Sequence, residues 1–249
     1  MLLIGVIHLS SFRIIRYFSE RGKMGKIQAI RAIQKRPDGL FGSFMTRPVS
    51  PYFVYLAYLL GMSPNVVSIL SFVFCLAGAV LFFFHHSALT MIAASAVLWW
   101  IGAILDAADG DLARYIEVKS PFGGWLDSFL DRVKEFTIFS VFGYLAFIQH
   151  SNPLYLLAGV ISIFTCVMSG YISDTKKLFI KTGERKPELK FSRKYIFGMV
   201  DTRDFFVIVS VCAKEVRIAL VVYSTLFLLA VTIQFLKFYR TYGLSKKRK

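Results

Sequence analysis

Residues 64–84 read PNVVSILSFVFCLAGAVLFFF, a run without one charged side chain. At a rise of about 1.5 Å per residue, a helix of about 20 residues crosses the roughly 30 Å hydrocarbon layer of a bilayer. The run is not isolated. Residues 87–105 (SALTMIAASAVLWWIGAIL), 154–173 and 218–235 are uncharged as well. A soluble core rarely needs more than one such stretch, and four in 249 residues identify an all-α integral membrane protein. Two weaker segments extend the expectation to six transmembrane helices. Residues 136–149 are apolar but short, and they make a full span only if the helix begins near Phe122. That start draws Asp127, Asp131, Arg132, Lys134 and Glu135 into the membrane boundary. Residues 205–213 are shorter still, so their helix is expected to begin near Tyr195 or Asp201.

Composition agrees with this class. The chain is 56% hydrophobic and 18% charged, against about 25% charged in an ordinary soluble domain. Disorder is excluded by the apolar content. A net charge of +15 raises the alternative of nucleic-acid binding, but no reading module accompanies it. The basic residues instead fall by topology. Nine Lys or Arg lie between Arg13 and Arg47, nine between Lys176 and Arg203, and six after Phe235. The connections at His85-His86 and Ser151-Asn152-Pro153 carry none. By the positive-inside rule both termini and the 176–203 connection face the cytoplasm, in a multi-pass protein of the cell membrane. Lys214 and Arg217 run against this pattern, softened by Glu215.

The amino-terminal region divides from the rest. Residues 1–9 are apolar but too short to span, and no small-residue cleavage site follows, so no signal peptide is expected. Between Arg13 and Arg36, Ile27, Ile30 and Ile33 recur at helical spacing among basic residues, which predicts an amphipathic helix on the anionic inner leaflet. Pro37-Asp38-Gly39 and Arg47-Pro48 interrupt it before a second juxtamembrane stretch at 49–60. The expected organisation is a basic amphipathic segment over 1–60, a six-helix domain over 61–240 and a basic tail over 241–249. Cys75, Cys166 and Cys212 lie widely apart within apolar runs and read as small core residues rather than metal ligands. None of the four His residues is well placed as a catalytic base.

The chemistry concentrates between Asp106 and Asp131. Asp106, Asp109, Asp111, Glu117, Asp127 and Asp131 fall there, six of the fifteen acidic residues. Asp106 and Asp109 are three apart and Asp127 and Asp131 four apart, so each pair shares a helix face. Gly110, Ala113 and Gly123 leave room beside them. Four carboxylates at a helix pair, with no His among them, suit hard cations such as magnesium or manganese. The plain alternative is a set of boundary acids paired with Arg114, Lys119, Arg132 and Lys134. Carboxylates at membrane depth are costly, however, and usually functional.

Read in full, the segment is Asp106-x2-Asp109-Gly110-x2-Ala113-Arg114-x8-Gly123-x3-Asp127-x3-Asp131. This resembles the signature of the CDP-alcohol phosphatidyltransferases at each of its eight fixed positions. Ser63-Pro64-Asn65 looks like the Thr/Ala-Pro-Asn of many members. Residues 123–132 (GGWLDSFLDR) look most like members that handle inositol phosphate. The approach from Lys35-Arg36-Pro37-Asp38-Gly39 to Arg47-Pro48 is similar to the membrane domain of di-myo-inositol-phosphate-phosphate synthases. Those enzymes often carry an upstream cytidylyltransferase domain for which this chain has no room, so its donor is expected from another protein.

The resemblance implies a set of roles. Asp106, Asp109, Asp127 and Asp131 would bind metal, as two magnesium (or manganese) ions bridging the diphosphate of a CDP-linked donor. Asp131 would be the general base toward the acceptor hydroxyl. Gly110, Ala113 and Gly123 would line the cytidine pocket, Arg114 would contact the diphosphate, and Asn65 would be a further polar contact. The donor would be CDP-diacylglycerol or a CDP-alcohol, the acceptor a small polar alcohol such as inositol phosphate, and the product CMP. A homodimer embedded among membrane lipids is implied too. Arg193, Lys194, Arg203 and Lys134 are candidate ligands for an acceptor phosphate, since the basic 176–203 connection can attract an anion.

Two other classes compete. A membrane prenyltransferase also uses paired acidic motifs, but on distant helix pairs, and it leaves Gly110, Ala113, Arg114 and Gly123 unexplained; pyrophosphate rather than CMP would be its product. A cation transporter expects acids near the bilayer midplane or broken-helix repeats, whereas these four Asp cluster toward one side.

Overall fold

The computed structural model describes residues 25–34, 42–118, 120–181, 199–213 and 216–240, and every regular element among them is helical. In chain order these are α1 (Lys26–Ile33), a π-helical turn (Gly42–Thr46), α2 (Ser50–Leu59), α3 (Pro64–His85), α4 (Leu89–Tyr115), α5 (Pro121–His150), α6 (Leu154–Lys181), α7 (Met199–Ala213) and α8 (Val216–Phe238). Residues 1–24, 35–41 and 241–249, on which part of the expected amphipathic arm, the Pro37-Asp38-Gly39 break and the basic tail fall, lie outside the described residues.

Local chemistry sets the helix starts that matter for the site. Ser63 caps α3, its Oγ accepting from the Val66 amide at 3.4 Å, with Pro64 in the first turn, where a missing N–H costs nothing. Ser120 caps α5 in the same way, accepting from the Gly123 amide at 2.9 Å, with Pro121 next. Between α2 and α3 the chain turns at Gly61, whose φ of +64° suits a residue without Cβ.

Among the described residues four helices are long and apolar enough to cross a membrane: Pro64–His85, Leu89–Tyr115, Leu154–Ser173 and Val216–Phe238. This corrects the expectation of six. Helix α5 has the length, but Asp127, Asp131, Arg132, Lys134 and Glu135 fill its first half and leave too short an apolar remainder. Helix α7 has 15 residues and carries Arg203 and Asp204 near its start. Each charge is expensive in hydrocarbon, so neither segment matches a span by composition. The outward faces of α3 and α8 fit lipid. Val66, Ile69, Val73 and Val80 on α3, and Ile218, Leu226, Leu229 and Ile233 on α8, are exposed.

Helix α3 packs along both α4 and α5, α5 against α6 and α8, and α7 against α4 and α8. The main core joins Trp99, Ile138, Phe139, Phe142, Leu220, Tyr223 and Phe227. Tyr223 stacks on Phe227 with ring centroids 3.8 Å apart and tilts over Phe139 at 4.5 Å. Cys75 and Cys166 are buried as expected of small core residues, but Cys212 is exposed, because it falls on the outer side of α7. A second cluster, Ile30, Val54, Ala57, Val67, Leu105, Ala108 and Leu112, fastens α1 and α2 onto α3 and α4. The juxtamembrane helices are therefore part of the folded body.

The α3–α4 contact depends on small residues. A Cβ built at Gly102 would lie 3.0 Å from the Ser71 carbonyl oxygen and overlap the Cys75 sulfur, while Ser71 Oγ donates to the Gly102 carbonyl at 2.9 Å. Interlocking at backbone distance is how helices pack where water drives nothing together. Gly102→Ala is expected to destabilise the detergent-solubilised protein by about 1–3 kcal/mol. A thermal melt matching the unsubstituted protein would show that α3 and α4 separate freely, contrary to this packing.

Candidate active site

Helices α4 and α5 bring their acidic faces together beside α3. One carboxylate oxygen each from Asp106, Asp127 and Asp131 lie within 4.8 Å of one another. Asp109, one turn along α4 from Asp106, is buried and accepts a 2.5 Å hydrogen bond from Ser68 Oγ on α3. Ser71, one turn further along α3, has its Oγ 3.5 Å from Asp106 Oδ1. The spacing of Ser68 and Ser71 thus repeats that of the acids they face.

Basic residues answer these acids from inside the bundle. Lys134 Nζ lies 2.5 Å from Asp106 Oδ1 and 2.8 Å from Asp131 Oδ1, bridging α4 and α5 from a side chain only 3% exposed. Arg203 on α7 approaches Asp131 at 3.6 Å, pairs with Glu135 at 3.0 Å and donates from Nε to Asp204 at 3.0 Å. Trp99 Nε1 donates to the same Asp204 oxygen at 3.2 Å. Arg132 pairs with Glu135 at 2.9 Å and donates to the Cys166 carbonyl. A Cβ on Gly170 would sit 2.8 Å from Arg132 Nη1, so that glycine makes the room.

A groove of about 360 Å³ opens next to the acids, lined among others by Asn65, Asp109, Gly110, Ala113, Arg114 and Asp127. Gly123 on α5 lines it as well. A Cβ there would lie 2.9 Å from Asn65 Oδ1 and 3.1 Å from Ser120 Oγ. At Gly110 the same construction lies 3.5 Å from Arg114, so the guanidinium rests over a helix turn that has no side chain. Arg114 is paired with Asp111.

The sequence-derived residues thus divide. Asp106, Asp127 and Asp131 converge. Asp109, Gly110, Ala113, Arg114, Gly123 and Asn65 border the adjoining groove. Lys134 and Arg203 are buried among acids, and neither is among the groove-lining residues. Arg193 and Lys194 lie outside the described residues. Sequence reasoning missed Ser68, Glu135, Asp204 and Trp99 as partners in the site. The available signal was Glu135, an acid one turn beyond Asp131 in a helix about to turn apolar.

The donor set is carboxylate oxygen throughout, the preference of magnesium and manganese rather than of softer ions. The present partner of Asp106 and Asp131 is a cation, the Lys134 ammonium. Asp127 adds a third carboxylate to the cluster. The residues fit a hard divalent ion.

A family model for CDP-alcohol phosphatidyltransferase matches residues 61–235. The bifunctional IPC transferase and DIPP synthase of Archaeoglobus fulgidus is 26% identical over 202 residues, covering 81% of this chain and 38% of that protein. The archaetidylinositol phosphate synthase of Pyrococcus horikoshii is 37% identical over 79 residues, 32% of this chain and 39% of that protein. This chain therefore spans little more than a third of the length of these two curated relatives. The crystal structure of Mycobacterium tuberculosis phosphatidylinositol phosphate synthase in complex with manganese and citrate superposes with a TM-score of 0.55 at 26% identity, covering 78% of this chain and 88% of that one. With the family model running from the first membrane-compatible helix into the fourth and across both acidic pairs, the chain belongs to the CDP-alcohol phosphatidyltransferase family.

Proposed function

We propose that this protein transfers a substituted phosphate group from a CDP-linked donor to the hydroxyl of a small polar acceptor, inositol phosphate or a similar phosphorylated polyol, and releases CMP. The observation that carries this reading is the contact between two features. A carboxylate cluster within 4.8 Å adjoins a groove bordered by Gly110, Ala113, Arg114 and Gly123. The Pyrococcus relative's name and the inositol-phosphate-like GGWLDSFLDR stretch support the acceptor class.

Each side chain has a place in this chemistry. The groove receives the cytidine end of the donor, where Gly123 admits the nucleotide and Asn65 and Arg114 offer polar contacts. The acceptor oxygen attacks the donor phosphorus distal to the cytidine. The new P–O bond forms as the bond to the bridging diphosphate oxygen breaks, CMP leaves with that electron pair, and the acceptor proton passes to an Asp131 carboxylate oxygen. Asp106, Asp109, Asp127 and Asp131 would hold one or two magnesium or manganese ions, which supply charge neutralisation to the diphosphate when bound. Lys134 keeps Asp106 and Asp131 together until then. The basic segments set both termini and the site on the cytoplasmic side, and the protein works among membrane lipids as a homodimer.

The deciding experiment incubates the purified protein with CDP-diacylglycerol or CDP-inositol and a panel of acceptors, and measures CMP. Release that depends on a divalent ion and on a phosphorylated polyol is expected; pyrophosphate release from a prenyl donor would overturn the reading. Because Asp106, Asp127 and Asp131 repel one another, magnesium is also expected to raise the melting temperature in detergent by about 5 °C over an EDTA-treated sample, the shift for binding well above Kd. Superimposable melts would remove the metal assignment.

A further inference from the structure

Asp111 is fully buried near the C-terminal end of α4, yet it lies outside both the acidic cluster and the groove. It accepts from two arginines of different origin. Arg47, which precedes α2, donates from Nη1 to both carboxylate oxygens at 3.0 and 2.8 Å, and Ser50 Oγ lies 3.4 Å from Oδ2. Arg114, which borders the groove, pairs with Oδ1 through Nη2. The chain of contacts continues outward. Gln34 at the end of α1 donates from Nε2 to the Arg47 carbonyl and to Ser50 Oγ, both at 3.0 Å. Ile30 and Val54, wholly buried against Leu105 and Leu112, fix α1 and α2 beside this carboxylate.

We propose that Asp111 is a positioning residue for Arg114, and that Arg47 sets how much of the Arg114 charge reaches the groove. This rests on the reading of the groove as a nucleotide diphosphate site. Two arginines on one carboxylate leave the trio with a net charge of +1. Without Arg47, Asp111 and Arg114 form a neutral pair, and the guanidinium loses most of its pull on an anion in the groove. Without the carboxylate, Arg114 loses the ion pair that holds its guanidinium over Gly110. The juxtamembrane segment thereby tunes ligand affinity from outside the groove.

The test is equilibrium binding of CDP, with magnesium, to the full chain in detergent, with thermal melts alongside. Arg47→Gln is expected to weaken CDP binding about tenfold, the loss of one charge-assisted contact, and Arg47→Lys to recover part of it. Asp111→Asn is expected to weaken binding similarly. Deleting a carboxylate also raises the positive potential, so tighter binding by Asp111→Asn would overturn the positioning role. The sharper comparison places Arg47→Gln in an Arg114→Gln background, where its effect on Kd should vanish if it acts through Arg114. An undiminished effect there, or an Arg47→Gln protein that binds CDP normally, overturns the proposal. A shift in melting temperature alone, with Kd unchanged, does so as well. If the unsubstituted protein fails to bind CDP, the parent reading of the groove is what has failed.

Discussion

Asp131→Asn is expected to lower CMP release about 10³-fold while leaving a folded, CDP-binding protein. The substitution keeps the size of the side chain, and the amide oxygen can still accept from Lys134, which lies 2.8 Å from the native carboxylate. What it removes is the capacity to take a proton. Asp131 stands at the meeting of the acidic cluster with the bundle interior, with Lys134 and Arg203 behind it and Asp106 and Asp127 beside it. A second measurement separates its two proposed tasks. If the variant keeps the magnesium-dependent rise in melting temperature, the lost rate belongs to proton transfer; if it loses both, Asp131 acts chiefly as a metal ligand. Normal turnover by the variant takes Asp131 out of the chemistry altogether.

The sequence was most legible where one physical constraint acts alone. The four uncharged runs needed only hydrocarbon thickness, and they coincide with the four membrane-compatible helices. The family followed from eight spaced positions between Asp106 and Asp131. The count of six failed where constraints conflict, since α5 must carry five charged side chains toward the site and α7 places Arg203 and Asp204 in the interior. Helical spacing also put Asp106 with Asp109, and Asp127 with Asp131, on common faces. It could not show that Asp109 turns toward Ser68 while Asp106 meets the other pair, because that choice is made by α3, distant in sequence. Asp111 was harder still. By position it belonged with the other acids, and only the fold shows that Arg47, 64 residues earlier, claims it.

The largest loss of stability is expected from Arg203→Met. Arg203 is one of the candidate ligands for an acceptor phosphate, and the structure packs it against this protein's own acids. Its side chain is 2% exposed and reaches Glu135 at 3.0 Å, Asp204 at 3.0 Å and Asp131 at 3.6 Å. Breaking a buried ion pair from one side costs about 3–5 kcal/mol, mostly because the abandoned charge stays buried. Among the described contacts Glu135 would keep only Arg132, and Asp204 only the indole N–H of Trp99. For a chain of this size that corresponds to a fall in melting temperature of about 10 °C. The sign can be checked within the network. Adding Glu135→Gln and Asp204→Asn to Arg203→Met removes the stranded charges and should recover much of the loss. Arg203→Lys should fall between, since one ammonium cannot match the guanidinium fork. An Arg203→Met protein that melts normally but needs far more acceptor to reach half-maximal rate would make Arg203 a ligand of the substrate, and the buried network would then not be what holds α7 against α4 and α5.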